Sequence, residues 1–211
     1  MYYAEYYRWL VVHRYLGISG GPKSLLDVGC HDGFFLRHES AALRVGLDLR
    51  PVRRYGSEVL LVQADALRPP LRPASWETIF CFDLIEHVVD DERLLATLLD
   101  LLCPDGTLWL STPCAETRIF PAFLTARASR GWGHVRNGYT VEELRGKLPG
   151  CEVTFREWNE PFLRFACIPL HFLSLVWPWL GERAAALCAW LDHFFPAGRR
   201  GHLFVRVRRT S

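Results

Sequence analysis

The chain has 211 residues, of which 50% are hydrophobic, 13% aromatic and 23% charged, with a formal net charge of +2. Intrinsic disorder requires low hydrophobicity and high net charge, so this composition excludes it, and the length suffices to bury a core. The small net charge gives no clustered basic face of the kind that dedicated nucleic-acid-binding proteins carry. We therefore expect one globular domain over residues 1–211 and no nucleic-acid partner.

The predicted elements begin with an aromatic amphipathic helix that ends near Leu16, before a turn at Gly17–Pro22. Short apolar runs then alternate with helical stretches. The predicted strands are Ser24–Val28, Arg44–Leu49, Val59–Gln63, Thr78–Phe82 and Thr107–Ser111, and the predicted helices are Phe34–Ser40 and Glu92–Leu102, with a turn at Pro104–Gly106. Continuous apolar strands separated by helices predict an α/β fold with a doubly wound, mostly parallel sheet.

Beyond Pro113 the pattern changes. We expect residues 114–138 to be irregular, and a capping box of Thr140 and Glu143 to begin a helix over Val141–Leu148. Predicted strands at Cys151–Trp158 and His202–Arg208 complete a seven-stranded sheet, and the alternation in the second suits a strand near an edge. Between them lies an apolar block, residues 161–196, in which we expect a helix broken at Gly181 and a second helix over Ala184–Phe195.

Cysteine usage and targeting signals favour a cytoplasmic protein. The seven cysteines are odd in number and form no Cys-x-x-Cys pair, whereas zinc sites and disulfide frameworks need paired spacing. The N-terminus lacks the basic start and short apolar run of a signal peptide. The stretch Phe162–Leu180 has the length of a membrane span, but it is interrupted by Arg164, Pro169, His171 and Pro178. We therefore expect short helices on a surface or over a pocket.

Acidic residues follow three of the predicted strands. Asp27 precedes a glycine turn with Gly29 and Gly33, Asp48 ends the second strand, and Asp65 follows the third. The spacing does not match the dinucleotide fingerprint G-x-G-x-x-G, because its second glycine falls on His31. Asp48 is placed to accept hydrogen bonds from ribose hydroxyls, and Asp65 from an adenine amino group. Three carboxylates without a phosphate cradle suit a positively charged nucleoside such as S-adenosylmethionine, although each can also be an ordinary turn or loop residue.

Further motifs lie in matching order and spacing over residues 24–150. They are Leu26–Cys30 with Gly33, Gly46–Asp48, Gln63–Asp65, Trp76–Val88, Pro104–Gly106 with Ser111–Pro113, and His134–Leu144. In these motifs the chain resembles the class I S-adenosylmethionine-dependent methyltransferases, in the branch of the ubiquinone-biosynthesis O-methyltransferases. The resemblance implies a Rossmann-like methyltransferase fold with S-adenosyl-L-methionine as cofactor. The chain departs from the family at His31, where glycine is usual, and at Glu77, where aspartate is commoner.

Site residues follow from the strand ends together with the resemblance. The predicted cofactor-binding residues are Asp27, Gly29, Cys30, His31, Gly33, Asp48, Leu49, Asp65, Ala66 and Phe82. The candidate catalytic residues are Glu86 and His87 after the fourth strand and His134 in the irregular segment, since a histidine can take a hydroxyl proton near neutral pH. By resemblance alone, Asp83, Glu86 and His87 are candidate ligands of a divalent metal. The alternatives are that Glu86 and His87 stabilise a helix start and that His134 is a surface residue.

These observations predict a methyltransferase that acts on an oxygen of a small, hydrophobic or lipid-linked acceptor. The alternative is an inactive binding or scaffold protein with the same fold. We expect an N-terminal helix in residues 1–23, a cofactor-binding core in 24–113, an acceptor lid in 114–140 and an apolar helical insertion in 161–196. Three uses of the insertion stay open. It can pack against the core or the N-terminal helix, or it can form a homodimer. It can also cover a hydrophobic acceptor or contact a membrane that holds a lipid-linked one.

Overall fold

The computed structural model of the chain describes residues 3–19, 21, 23–50, 59–195, 198 and 200–209. The helices in this part of the chain are α1 (Tyr3–Leu10), α2 (Phe34–Arg37), α3 (Asp91–Leu101), α4 (Thr125–Trp132), α5 (Val141–Gly146), α6 (Pro161–Val176) and α7 (Pro178–Asp192). The strands are β1 (Ser24–Val28), β2 (Leu43–Asp48), β3 (Leu60–Gln63), β4 (Trp76–Phe82), β5 (Leu102–Pro113), β6 (Cys151–Asn159) and β7 (Gly201–Arg209). Gly20, Pro22 and Pro196, which belong to the predicted turn and to the end of the apolar block, lie outside the described residues.

The chain divides into two compact units. The sheet unit comprises Gly20–Thr112, Tyr139–Arg156 and Leu203–Ser211, and the helical unit comprises Met1–Ser19, Pro113–Gly138 and Glu157–His202. Each unit is built from three separate stretches of sequence. The single domain expected over residues 1–211 stays a prediction.

As the sequence predicts, the described strands form one seven-stranded sheet, and their order in it is β3-β2-β1-β4-β5-β7-β6. The pairs β1·β2, β1·β4, β2·β3 and β4·β5 are all parallel. Strand order reverses between β1 and β4, and open parallel sheets bind ligands at the carboxyl ends of the strands beside such a reversal. Strand β7 lies next to the edge strand β6, which agrees with its predicted place near an edge.

The core of the sheet unit is formed by the apolar central strands. Leu25 and Leu26 in β1 and Ile79 and Phe80 in β4 have no exposed surface. Helix α3 packs with an apolar face of Leu94, Leu95, Leu98 and Leu101, whose spacing matches the helical repeat. Continuous apolar runs in β1 and β4 are typical of strands covered on both faces.

Strand β5 begins earlier than predicted. Trp76 in β4 pairs with Leu102 and Thr78 pairs with Thr107, so the intervening residues of β5 have no counterpart in β4. Pro104–Gly106 lies in this irregularity, inside the strand. The prediction of a turn that separates α3 from a strand starting at Thr107 is therefore wrong, because a β-bulge accommodates the proline and glycine without ending the ladder.

The helical unit is held together by α1, α6 and α7. The Tyr7 hydroxyl donates a hydrogen bond to Asp192 Oδ2 (2.7 Å) and accepts one from Trp158 Nε1 (2.9 Å). The Phe162 amide at the start of α6 donates to Asp192 Oδ1 (2.8 Å). Burial raises the pKa of Asp192 to about 6, against the opposing effect of these hydrogen bonds. One carboxyl group thus joins the N-terminal helix to both helices of the apolar block, and packing on the N-terminal helix is one of the uses expected for that block.

Three predictions in the helical unit are wrong. Residues 114–138 contain helix α4, which ends at Gly133 with a φ of 82°. Helix α6 continues through Pro169, whose side chain is exposed, and the chain breaks at Trp177 rather than at Gly181. Pro178 begins α7, where a proline's missing N–H costs nothing. Gly181 instead permits close approach, since a Cβ there would lie 2.8 Å from Ser174 Cβ in α6.

Among the described residues, no helix has the length and hydropathy that a membrane span requires. The longest, α6, has 16 residues.

Candidate cofactor-binding site

A tight turn follows β1 at the carboxyl edge of the sheet. Gly29 and Gly33 have φ angles of 79° and 72°, in the left-handed region that favours glycine. The amides of Gly29 and Cys30 donate to the carbonyl of Leu47 in β2, at 2.7 and 3.2 Å. The Gly33 amide donates to the Cys30 carbonyl at 2.7 Å and closes the turn. The turn is therefore fixed against the end of the neighbouring strand.

His31 occupies the centre of this turn, where the related methyltransferases usually have glycine. Its φ is 48°, so the position requires the left-handed conformation that glycine adopts without a steric cost. The side chain of His31 is exposed. The departure from the family pattern is therefore accommodated by a strained backbone at an exposed position.

Asp48 ends β2 beside this turn. Its Oδ2 accepts a hydrogen bond from the His31 amide (2.9 Å), and its Oδ1 accepts one from the Arg50 amide (2.9 Å). Each carboxylate oxygen has a further lone pair, so the group can accept additional hydrogen bonds from a ligand's hydroxyls. The backbone thus orients Asp48 before any ligand arrives.

Asp27 lies in β1 and is only 3% exposed. Burial, with a smaller effect from the neighbouring carboxylates of Asp48, Asp32 and Glu39, raises the pKa of its carboxyl to about 8. A cationic ligand is favoured here, because its positive charge offsets the cost of ionising Asp27 beside the other carboxylates.

The end of β3 completes this edge of the sheet. The Ala64 amide donates to the Asp48 carbonyl (2.9 Å), and Gln63 Nε2 donates to the carbonyl of the exposed residue Leu49 (3.3 Å). Asp65 Oδ1 accepts the Leu67 amide (2.9 Å), which caps its own loop around Ala66. Asp65 is exposed. Its bond to the Leu67 amide is that of an ordinary loop residue, which is the alternative that the sequence leaves open.

Aromatic side chains lie on the other side of the turn. Phe82, at the end of β4, is 8% exposed and packs against Phe35 of α2, with ring centroids 5.1 Å apart. The next residue, Asp83, has a φ of 49° and accepts the Ser111 hydroxyl on its Oδ1 (2.7 Å). The ends of β4 and β5 are thereby joined.

Glu86 and His87 lie in a short 3₁₀ turn, Ile85–His87. Glu86 is 1% exposed, and His87 is half-buried. The proposed role in starting the next helix is wrong, because α3 begins after Asp90, whose side chain accepts the Arg93 amide (3.1 Å). The structure also does not gather Asp83, Glu86 and His87 into a group of donor atoms within 4.8 Å of one another, in the part of the chain that it describes. The metal implied by resemblance stays untested.

Tyr139, just before α5, belongs to a buried hydrogen-bonded cluster. Its hydroxyl donates to Asp91 Oδ2 (2.6 Å), and Lys147 Nζ donates to the other carboxylate oxygen of Asp91 (2.8 Å). Tyr139 is only 3% exposed. This buried cluster fixes the start of α3 to the segment around α5, and sequence alone gave no sign of it because the partners are 48 and 56 residues apart.

His134 belongs to the helical unit, in the segment after α4. It is half-buried, its amide donates to the Ser129 carbonyl (3.0 Å), and its ring lies 5.7 Å from that of Trp132. Glu86 and His87 belong to the sheet unit. The catalytic roles of all three residues stay predictions.

Comparison with known proteins agrees with this architecture. The family model described as a methyltransferase domain matches residues 2–183, most of the chain. The chain belongs to the methyltransferase-domain family. Its cofactor is therefore S-adenosyl-L-methionine.

Curated relatives of this methyltransferase-family chain match part of its length. The ubiquinone biosynthesis O-methyltransferase of Xanthomonas campestris pv. campestris is 33% identical, and that of Xanthomonas euvesicatoria pv. vesicatoria is 36% identical. In both cases the match covers 42% of this chain and 42% of the relative. The chain thus spans less than half the length of the curated relatives it matches.

Solved methyltransferase structures share the fold over nearly the whole chain. An S-adenosylmethionine-dependent methyltransferase from Mesorhizobium loti has 21% identity and a TM-score of 0.63, with 96% of this chain and 98% of that chain covered. Phosphoethanolamine N-methyltransferase 2 of Haemonchus contortus, solved with phosphomonomethylethanolamine and S-adenosylhomocysteine, has 13% identity and a TM-score of 0.67, covering 97% and 52%. A Haloferax volcanii putative methyltransferase, solved with the activator Trm112, has 13% identity and a TM-score of 0.65, covering 98% and 91%.

The carboxyl edge of this methyltransferase-family chain fits S-adenosyl-L-methionine on its own structural features. The cofactor carries ribose hydroxyls, for which Asp48 is fixed by two backbone amides. It also carries a sulfonium charge, which the buried Asp27 and its acidic neighbours favour. The turn with Gly29 and Gly33 adds backbone that a ligand can approach closely.

Proposed function

We propose that the protein is an S-adenosylmethionine-dependent methyltransferase that transfers the methyl group to an oxygen of a small, hydrophobic or lipid-linked acceptor. The observation that carries the cofactor site is the Asp48 carboxylate, held by the His31 amide beside the glycine turn. The partial match to ubiquinone biosynthesis O-methyltransferases supports oxygen as the acceptor atom.

The cofactor-binding roles follow from position along the sheet edge. Asp48 accepts the ribose hydroxyls, with Leu49 beside it, and Asp65 and Ala66 lie where an adenine ring would end. Asp27 and the turn residues Gly29, Cys30, His31 and Gly33 face the charged methionine part, and Phe82 packs beside the turn. This assignment uses every carboxylate at the ends of β1, β2 and β3.

The bound cofactor supplies an activated methyl group. The chain's part in the reaction is to orient the acceptor oxygen, to exclude water and to take up the proton that the oxygen loses. His134, His87 and Glu86 are the candidates for that proton. A histidine suits the task because its ordinary pKa lies near neutrality.

Exposed aromatic side chains in the helical unit support a hydrophobic acceptor. Aromatic side chains of the 161–195 segment are unusually exposed, among them Phe165 and Phe172 (both 64%), Trp177 (54%) and Trp179 (57%). Large exposed apolar surfaces in soluble domains mark binding or membrane-contact sites, and tryptophans favour the membrane interface. We include peripheral contact with a membrane in the proposal for this reason.

The cofactor assignment is tested by calorimetric titration of S-adenosyl-L-methionine into the wild type and Asp48→Asn. Loss of charge-assisted hydrogen bonds should weaken binding about 10- to 100-fold. Asp105→Asn, which changes an exposed aspartate in the bulge of β5, is the matched control and should bind as the wild type does.

Three outcomes of this titration decide between the alternatives. Equal affinity of the wild type and Asp48→Asn would show that the ribose assignment is wrong. Failure of the folded wild type to bind the cofactor at all would favour the scaffold alternative. Cofactor binding without methyl transfer to quinone precursors of any chain length would exclude these precursors as the acceptor.

A further inference from the structure

The helical unit contains a cavity of about 560 Å³ between the start of α1, α4 with the segment before it, and α6. Its apolar lining consists of Ile119, Leu124, Ala128, Trp132, Ile168 and Phe172. The volume falls within the range of about 300–1,000 Å³ that is usual for small-molecule sites. Every lining residue belongs to the helical unit.

The inner part of the cavity offers no free polar group. Tyr3, which is 7% exposed, donates its hydroxyl to the Cys167 carbonyl (3.1 Å), and its oxygen lies 3.1 Å from Cys167 Sγ. Burial raises the pKa of Tyr3, which keeps the hydroxyl neutral. A ligand group that reaches this depth must be apolar, because a polar one would lose its hydration without gaining a partner.

The outer part of the cavity is cationic. Arg127 of α4 and His171 of α6 line it, and both are exposed. In the described part of the chain, no hydrogen bond or ion pair is found for the Arg127 guanidinium. Residues 117–136 carry four arginines and no acidic residue. A guanidinium in such a segment favours an anionic group, which it can bind through two parallel hydrogen bonds.

We propose that this cavity binds the alkyl or isoprenoid chain of a single-chain lipid, with an anionic head group such as a phosphate at Arg127. The inference rests on the proposed hydrophobic or lipid-linked acceptor and specifies its class. The tail occupies the apolar interior between α4 and α6, and the head group stays at the exposed end near His171.

The experiment is a calorimetric titration of the full chain with dodecyl phosphate below its micelle concentration. Dodecyltrimethylammonium, which has the same tail with the opposite charge, should bind at least about tenfold more weakly. Inorganic phosphate alone should show no saturable binding. Each methylene removed from the alkyl phosphate should weaken binding about fourfold, the effect of one buried methylene.

Two matched pairs of variants place the ligand in the cavity. Gly131 in α4 lines it and Gly146 in α5 does not, and a Cβ at either position meets no atom within 4 Å. Gly131→Leu should fold, obstruct the cavity and weaken dodecyl phosphate about tenfold or more, whereas Gly146→Leu should not. Arg127→Gln should likewise weaken it about tenfold, and Arg130→Gln, on the same helix outside the lining, should not.

The proposal is overturned if dodecyl phosphate shows no saturable binding, if the cationic detergent binds equally well, or if both glycine variants weaken binding equally. Displacement of dodecyl phosphate by anionic phospholipid vesicles would identify a bilayer lipid as the source of the chain, and no displacement would identify a free ligand. Titration of the same samples with S-adenosyl-L-methionine separates the two proposals, because cofactor binding tests the sheet unit alone.

Discussion

Residue 31 combines a histidine side chain with a backbone conformation that favours glycine. Its φ of 48° places it in the left-handed region, and its amide is the donor that orients Asp48. The sequence identifies the position as unusual, since the family has glycine there. Only the structure gives the physical reason, because the sign of a φ angle cannot be read from one side chain.

Replacing His31 with glycine should relieve this strain. The left-handed conformation costs a non-glycine residue about 1–2 kcal/mol, and glycine's greater chain entropy cancels part of the gain. We expect the free energy of unfolding to rise by about 0.5–1 kcal/mol in urea titrations. His31→Ala keeps the strain and removes the imidazole, so an equal rise in that variant would contradict the backbone explanation.

Asp27 should make stability depend on pH. Its folded pKa of about 8 lies above the value of about 3.9 for an unfolded chain, so the folded protein keeps a proton that the unfolded chain has released. The contribution of this group is fully present below about pH 4 and is lost as the pH rises toward 8.

The comparison that isolates this effect is the wild type against Asp27→Asn. Between pH 5 and 8, the wild type should lose stability relative to the variant, at up to about 1.4 kcal/mol per pH unit. Urea unfolding at a series of pH values measures it. A difference that stays constant across this range would show that Asp27 is ionised in the folded protein.

Elements were predictable where the apolar pattern is continuous. Strands β1 to β4 lie within two residues of their predicted bounds, and the capping box of Thr140 and Glu143 is confirmed. Helix α4 was missed because Gly131 and Gly133 resemble a loop in sequence. The boundary between α6 and α7 was misplaced because Gly181 was taken as a helix end, although its role depends on the neighbouring helix.

Gly181 and Gly131 therefore predict opposite effects of the same substitution. Gly181→Ala places a Cβ 2.8 Å from Ser174 Cβ and should destabilise the protein by about 1–3 kcal/mol through overpacking. Gly131→Ala meets nothing within 4 Å and should stabilise its helix by up to about 1 kcal/mol. Thermal unfolding of both variants measures the effect, and equal shifts would contradict the close approach of α6 and α7.

At the scale of the whole molecule, the sequence predicted the sheet but not the division into two units. The helical unit brings together three stretches, residues 1–19, 113–138 and 157–202. In sequence, the three stretches resemble a separate N-terminal helix, a lid and an insertion. Their association depends on contacts such as that between Tyr7 and Asp192, 185 residues apart, which local patterns do not encode.

The exposed aromatic surface predicts membrane contact for the molecule. The wild type should sediment with anionic vesicles, and Trp177→Ala with Trp179→Ala should reduce the bound fraction severalfold, because the indole rings favour the interface. Leu60→Ala with Val89→Ala, at exposed positions of the sheet unit, is the control. Wild-type protein that stays in the supernatant would exclude membrane contact. Dimerisation that increases with protein concentration would instead favour the use of residues 161–196 as a homodimer interface.

The order in which the two units can form during synthesis follows from their connectivity. Helix α1 leaves the ribosome before the other described elements, yet Asp192, which binds its Tyr7, follows 185 residues later. Strand β7, made after every other described strand, fills the place between β5 and β6. The sheet can therefore not be completed on a nascent chain that stops before β7. The apolar side chains of α1 therefore have no partners from α7 until most of the described chain has been made. We expect chaperones that hold unfinished chains to bind this segment.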